Sequence, residues 1–260
     1  VITTRRAVRL RADEVGATKT IEFEGGETIA ARSVIVATGV EYRQLRGVRG
    51  CWDDPSPGAC NYVGRGVYYG ASVADENECA GEDVYIVGGA NSAGQAALHM
   101  AKKAASVTLL VRGPSLAASM SHYLVERIEN HPRIHVRTCT EVVDTTGDGD
   151  HLTGLVLLNR QSGEQEKVPC NRMCCFIGAE PRTDWLDIVA KDDYGFILAG
   201  PDVTKVAGWT LDRPPYHLET SVPGVFVAGD VRSESAKRVA AAVGDGSMAV
   251  MFVHRYLAEA

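Results

Sequence analysis

The residues with the clearest chemical meaning lie together at Val87-Gly88-Gly89-Ala90-Asn91-Ser92-Ala93. An apolar run from Asp83 to Val87 leads into them and a small-residue helical pattern leads out, which is the strand–turn–helix setting a dinucleotide loop requires. Gly88 permits the tight turn and Ala93 is small enough for close helix–strand packing. The helix N-terminus offers unpaired N–H groups and a positive dipole end to a pyrophosphate. Gly88, Gly89, Ala90, Asn91, Ser92 and Ala93 are therefore the candidate coenzyme contacts. Ala90 stands where such loops usually place a second glycine, so the stretch alone is also compatible with an ordinary glycine turn. The next strand, Val107 to Val111, ends in Arg112 rather than in an acid. An acid there would bond ribose hydroxyls, whereas a guanidinium suits a 2′-phosphate and favours NADPH over NADH; an exposed arginine at a strand end is the plainer alternative.

Two further turns carry residue types suited to a ligand rim. Thr38-Gly39 closes the run Ser33-Val34-Ile35-Val36-Ala37, and Gly229-Asp230 closes Val225-Phe226-Val227-Ala228. Ligands of α/β sheets sit outside the carboxyl ends of strands, where a carboxylate such as Asp230 can accept hydrogen bonds from ribityl hydroxyls. A helix cap for Asp230 and a simple loop at Thr38-Gly39 are the alternatives. Other chemistry has little support. The seven cysteines (51, 60, 79, 139, 170, 174 and 175) include no Cys-x-x-Cys, and their odd number argues against a disulfide scaffold and for a reducing, cytoplasmic setting. Cys174 and Cys175 are adjacent on an apolar strand, so they face opposite ways as core filler. His131 and His135 are separated by Pro132 and lack a cysteine pair, so no metal site is expected.

The elements that must position these residues follow from periodicity. Thr20 to Phe23 and Thr28 to Ala37 read as two strands across a Gly25-Gly26 turn. The Gly- and Pro-rich stretch from Gly47 to Gly66 reads as a connection between domains. Ala93, Ala96, Ala97, Met100, Ala101 and Ala104 make one helical face, so Asp83 to Val111 is a strand–helix–strand unit. A second helix is expected from Ser115 to Asn130. Cys139 to Gly178 reads as antiparallel, ending in the strand Met173 to Ile177, and a last helix is expected from about Lys237 toward Leu257. The net charge of −6 disfavours nucleic acid as a partner. No apolar run approaches the roughly 18 residues that span a bilayer.

Taken in order, Val34-Ile35-Val36-Ala37-Thr38-Gly39, Gly64-Arg65-Gly66-Val67, the Gly88 loop and Gly224 to Asp230 resemble the pyridine nucleotide-disulfide oxidoreductases, and among them the low-molecular-weight thioredoxin reductases. Lys237-Arg238-Val239, the Gly244-Asp245-Gly246-Ser247-Met248-Ala249 helix pattern and Arg112 extend the likeness, although Gly113 replaces the second basic residue of the 2′-phosphate pair. The resemblance implies an α/β fold of two interleaved Rossmann-like, three-layer nucleotide-binding domains. Residues 1–63 and 181–260 would bind FAD, through Thr38, Gly39, Gly229, Asp230, Lys237, Arg238 and Val239, and residues 64–180 would bind NAD(P)H. The family's opening strand and glycine loop would precede this chain. The resemblance further implies hydride transfer from the nicotinamide to the flavin, and a homodimer.

The chain departs from that family at its redox centre. The two positions of the family's Cys-x-x-Cys fall on Gly70 and Val73, so no catalytic thiol is assigned. The expected activity is FAD-dependent oxidation of NADPH, or of NADH, with electrons passed to a non-dithiol acceptor: a protein carrier, a quinone or oxygen. Two alternatives stand beside it, a redox-sensing or scaffold module without turnover and a thioredoxin-disulfide reductase that uses other cysteines.

Overall fold

The computed structural model of the chain describes residues 5–13, 18–52, 61–70, 77–205 and 209–259. In chain order the strands are β1 (Ala7–Ala12), β2 (Lys19–Phe23), β3 (Thr28–Ala31), β4 (Val34–Val36), β5 (Val40–Tyr42), β6 (Val67–Tyr69), β7 (Asp83–Val87), β8 (Ser106–Leu110), β9 (Ile134–Arg137), β10 (Thr140–Gly147), β11 (Leu152–Asn159), β12 (Gln165–Pro169), β13 (Arg172–Cys175), β14 (Ala179–Pro181) and β15 (Val225–Val227). The helices are α1 (Asn91–Met100), α2 (His122–Glu129) and α3 (Val239–Glu259). The chain divides into two compact units, Val1–Glu41 with Ala179–Ala260, and Tyr42–Gly178. No helix of the described residues is long and apolar enough to cross a membrane.

The second unit is built on a parallel sheet ordered β6-β13-β7-β8-β9. A parallel sheet is covered on both faces, and its strands therefore read as continuous apolar runs. On one face Val84, Ile86, Val107, Leu109 and Cys174 pack with Ala93, Ala97, Met100, Leu124 and Ile128 from α1 and α2. On the other, Val67, Val87, Leu110, Met173 and Cys175 pack with Val142, Leu152, Leu155 and Leu157 of the antiparallel sheet β10-β11-β12. Cys174 and Cys175 thus fall in opposite cores, as strand alternation requires. Small side chains let α1 approach closely: a β-carbon added at Gly94 would lie 2.8 Å from the sulfur of Met120.

In the first unit, β4 and β15 run parallel in the register Val34↔Val225, Ile35↔Phe226 and Val36↔Val227. Val225 and Val227 join Leu10, Val34, Val36, Leu186 and Ile197 on one side, while Phe226 meets Leu218, Ala249 and Tyr256 on the other. β1, β2 and β3 form an antiparallel meander. Lys19 of β2 is fully buried, and its Nζ donates to Tyr256 Oη at 2.8 Å and to the Arg32 carbonyl at 3.1 Å, which ties α3 to the meander.

Several sequence expectations are corrected. Met173 to Ile177 does not extend the antiparallel sheet: β13 enters the parallel sheet between β6 and β7, and the near-complete burial of Met173, Cys174 and Cys175 marks a strand covered on both faces. The run from Thr28 to Ala37 is two strands in two sheets, broken at Arg32-Ser33, where Ser33 Oγ donates to the Gly224 carbonyl at 2.7 Å. The helix expected from Ser115 begins only at His122, because Leu116 to Met120 closes as a separate turn and the Ser121 N–H is taken by Asn91 Oδ1 at 2.8 Å. The last helix opens at Val239 rather than Lys237, whose φ of +48° is incompatible with the helix. The sequence pattern does not announce β1 or β12. Apart from these corrections, the compact units part at 41/42 and 178/179, whereas the boundaries at 63/64 and 180/181 stay an expectation about which residues serve each nucleotide. Between positions 42 and 63, Val48, Cys51 and Tyr62 are buried in the core of the second unit, and Arg49 donates to both oxygens of Asp144.

Candidate nucleotide-binding sites

At the carboxyl end of the parallel sheet, Gly88, Gly89 and Ala90 join β7 to α1. Gly88 has φ +148°, and a β-carbon there would lie 2.6 Å from the Phe176 carbonyl oxygen and 3.1 Å from Ala93 Cβ. Ala90 has extended geometry, and its carbonyl accepts the first intrahelical bond, from the Gly94 N–H at 3.1 Å. The N–H groups of Asn91, Ser92 and Ala93 therefore have no partner within the helix, and Ala90, Asn91 and Ser92 are exposed. Unpaired donors at a positive dipole end fit a pyrophosphate, and the Ala90 methyl stands in the open rather than in the turn.

Sequence reasoning missed what holds this loop in place. Asn91 Oδ1 accepts from both the N–H and the hydroxyl of Ser121 at 2.8 Å, and Ser119 Oγ donates to the Gly89 carbonyl at 2.9 Å. Ser121 caps α2 by position, yet its hydroxyl serves Asn91 instead of its own helix. Arg112 lies two residues beyond β8, exposed, and among the described residues it makes no hydrogen bond or ion pair. β8 and β13 flank β7 on opposite sides, so the Gly88 loop sits at the point where the strand order reverses. The backbone of Phe176 backs directly onto Gly88, a neighbour that sequence reasoning also missed; an apolar strand ending in glycine was the available signal.

In the first unit the register of β4 and β15 brings Thr38-Gly39 and Gly229-Asp230 to the same sheet end. Gly39 and Gly229 both have left-handed backbone, with φ +64° and +77°. Asp230 is half-buried in a 3-10 turn, Gly229–Val231. The turn is held from α3: buried Asp245 Oδ2 accepts from the Gly229 N–H at 3.2 Å and from Arg232 Nε at 3.0 Å. In the sequence this positioning carboxylate reads only as part of a helix pattern. Lys237 Nζ stands 4.2 Å over the Phe196 ring, the Arg238 carbonyl accepts from the Ala242 N–H, and Val239 opens α3 with 84% of its surface exposed. A groove of about 610 Å³, lined by Arg6, Thr38, Arg182, Asp184 and Trp185 among others, adjoins Thr38. Nothing local in the sequence announces its two guanidiniums and indole. Open glycine turns, a carboxylate and nearby cations suit a polyhydroxyl, phosphate-bearing ligand.

Gly70 follows β6 with φ +72° and carries no thiol; Val73 and Cys60 lie outside the described residues. Cys51, Cys79, Cys139, Cys170, Cys174 and Cys175 are all buried and outside any disulfide. Burial, helped by the Asp144 charge, pushes the Cys51 thiol up to about 12, and burial does the same at Cys170, to about 12. Each is therefore about a thousandfold poorer in thiolate than an ordinary cysteine at the same pH. Iodoacetamide at pH 8 is expected to modify Cys51 and Cys170 at least about a hundredfold more slowly in the native protein than in urea, as read by mass spectrometry. Because the folded-state values lie above the unfolded value of 9.0, these thiols stabilise the fold fully below pH 9 and progressively less as pH rises toward 12. Equal alkylation rates in the two states would refute the assignment.

A family model described as pyridine nucleotide-disulphide oxidoreductase matches residues 1–246. NADH dehydrogenase of Ferdinandcohnia aciditolerans is 30% identical over 238 residues, covering 91% of this chain and 40% of that protein. Thioredoxin reductase of Listeria monocytogenes is 28% identical over 236 residues, covering 90% of this chain and 66% of that one. The chain therefore spans between 40% and 66% of the length of these relatives. The crystal structure of thioredoxin reductase from Streptococcus pyogenes superimposes with a TM-score of 0.70 at 25% identity, over 98% of this chain and 74% of that one.

Proposed function

Since the chain belongs to the pyridine nucleotide-disulphide oxidoreductases and is thioredoxin reductase-like within them, we propose that it works as an FAD-dependent NAD(P)H oxidoreductase whose electrons leave to an acceptor other than a dithiol. One observation carries this reading: strand-end glycine turns suited to nucleotides persist in both units, while Gly70 offers no thiol. In this reading the first unit takes FAD, bordered by Thr38, Gly39, Gly229, Asp230, Lys237, Arg238 and Val239. The second takes the coenzyme, received by Gly88 to Ala93 and Arg112. Bound FAD supplies the two-electron acceptor for a nicotinamide hydride. The protein's part is to place both groups: backbone N–H groups of α1 hold the pyrophosphate, the Asn91–Ser121 bonds keep that helix end aligned, and Asp245 fixes the turn bearing Asp230.

The burial of the six described cysteines supports this reading over one in which they relay electrons to thioredoxin. It also accords with a reducing cytoplasmic setting. The acceptor is a small molecule or a protein carrier, and the protein is a homodimer, which its mass in solution tests.

The decisive measurement is an anaerobic titration of the full-length, FAD-loaded protein with NADPH and with NADH, following flavin absorbance. Stoichiometric bleaching, more readily by NADPH, is expected. An unchanged flavin spectrum would make the protein a sensing or scaffold module without turnover. Arg112→Ala should weaken NADPH about tenfold or more, the worth of a charge-assisted contact, and leave NADH within about twofold. Equal losses for the two coenzymes would remove Arg112 from the 2′-phosphate.

A further inference from the structure

Gly70 is not an empty position. A β-carbon built on it falls 2.8 Å from Cδ2 of Tyr42 and closer still to Cε2 and Cζ, so the ring occupies the space into which any side chain at 70 would project. The backbone beside Tyr42 is fastened from two directions. The Arg43 N–H donates to the Gly178 carbonyl at 3.0 Å, and the Leu45 N–H donates to Tyr69 Oη at 2.9 Å. Tyr69 Oη in turn donates to the Cys51 carbonyl, so the residue adjoining Gly70 is itself the clasp that holds the 42–51 segment. Tyr42 therefore cannot retreat with its backbone. To admit a side chain at 70 its ring must leave its rotamer and give up its packing on the glycine, at a position already 46% exposed.

We infer that Tyr42 is a selectivity-determining residue, an aromatic plug in the volume of a side chain at position 70 that keeps thiol chemistry out of this site. The assignment deepens the non-dithiol reading and rests on it for its functional meaning. It says that substituting cysteine at 70 is insufficient to rebuild a thiol centre while the Tyr42 ring is present.

The test is a set of stability cycles on the full chain. Gly70→Cys, with Gly70→Ala as a second probe, is made in the parent, in Tyr42→Phe and in Tyr42→Leu. Phenylalanine keeps the clashing ring carbons, and leucine removes Cε2 and Cζ. A left-handed φ penalises any side chain at 70 equally in all three backgrounds, so it cancels in the comparison. The Gly70 substitutions should lower the melting temperature by roughly 4–8 °C in the parent and Tyr42→Phe, and by about half that or less in Tyr42→Leu. Maleimide should modify the thiol introduced by Gly70→Cys at least about tenfold faster beside leucine than beside either ring. Equal temperature shifts and equal labelling in all backgrounds would overturn the plug. Neither readout involves turnover, so an error in the proposed acceptor and an error about Tyr42 would fail separately.

Discussion

Gly88→Val should abolish productive NADPH binding while leaving the flavin spectrum in place. The expected loss is at least about a hundredfold in coenzyme affinity, of the order of 3 kcal/mol, from strain and overpacking together. Gly88 has φ +148°, outside the range of a β-branched residue, and any β-carbon meets the Phe176 carbonyl at 2.6 Å. That carbonyl cannot swing away as a side chain would. It belongs to the backbone beyond β13, whose Phe176 N–H donates to the Val87 carbonyl at 2.8 Å. Relief must come from moving the loop, which misaims the N–H groups of Asn91, Ser92 and Ala93. Equilibrium binding of NADPH to the parent and variant flavoproteins decides the matter; affinities within about threefold would show that the Gly88 loop does not hold the coenzyme.

Asp245→Ala should release FAD and destabilise the first unit. It leaves the Gly229 N–H without its acceptor and the Arg232 guanidinium, 21% exposed, without its partner. Removing one member of such a buried, charge-assisted pair costs about 2–4 kcal/mol. Asp245→Asn retains an acceptor oxygen and should lose about half as much, which separates loss of charge from loss of the hydrogen bond to the turn. FAD retained after gel filtration should fall about tenfold in the alanine variant and less in the asparagine variant, with Arg232→Met reporting the ion pair alone. Undiminished FAD in the alanine variant would show that the Gly229-Asp230 turn needs no support from α3.

The local parts of both candidate sites were legible as strand-end glycine turns because short segments encode them. Gly88 to Ala93, Thr38-Gly39 and Gly229-Asp230 announce themselves through an apolar strand, a glycine turn and the residue types that follow. The paired burial of Cys174 and Cys175 was also legible, since neighbouring strand residues must face opposite ways. Element boundaries were less so. Ser115 to Met120 has helical composition, but the Ser121 N–H is claimed by Asn91 Oδ1, 30 residues earlier, and the helix starts after it. The strand β13 follows a meander and reads as its continuation, yet its partners are β6 and β7, many residues away.

Residue types and their near neighbours were thus enough to give the α/β class, the family, the glycine turns and the absence of a thiol at position 70. It took the folded chain to bring Asp245 under Gly229, to set Ser119 and Ser121 against the Gly88 loop, and to lay the Tyr42 ring over Gly70. The difference is one of range. A hydrogen bond or a steric contact between distant residues exists only after the chain has folded back on itself, and no local pattern records which partner will arrive.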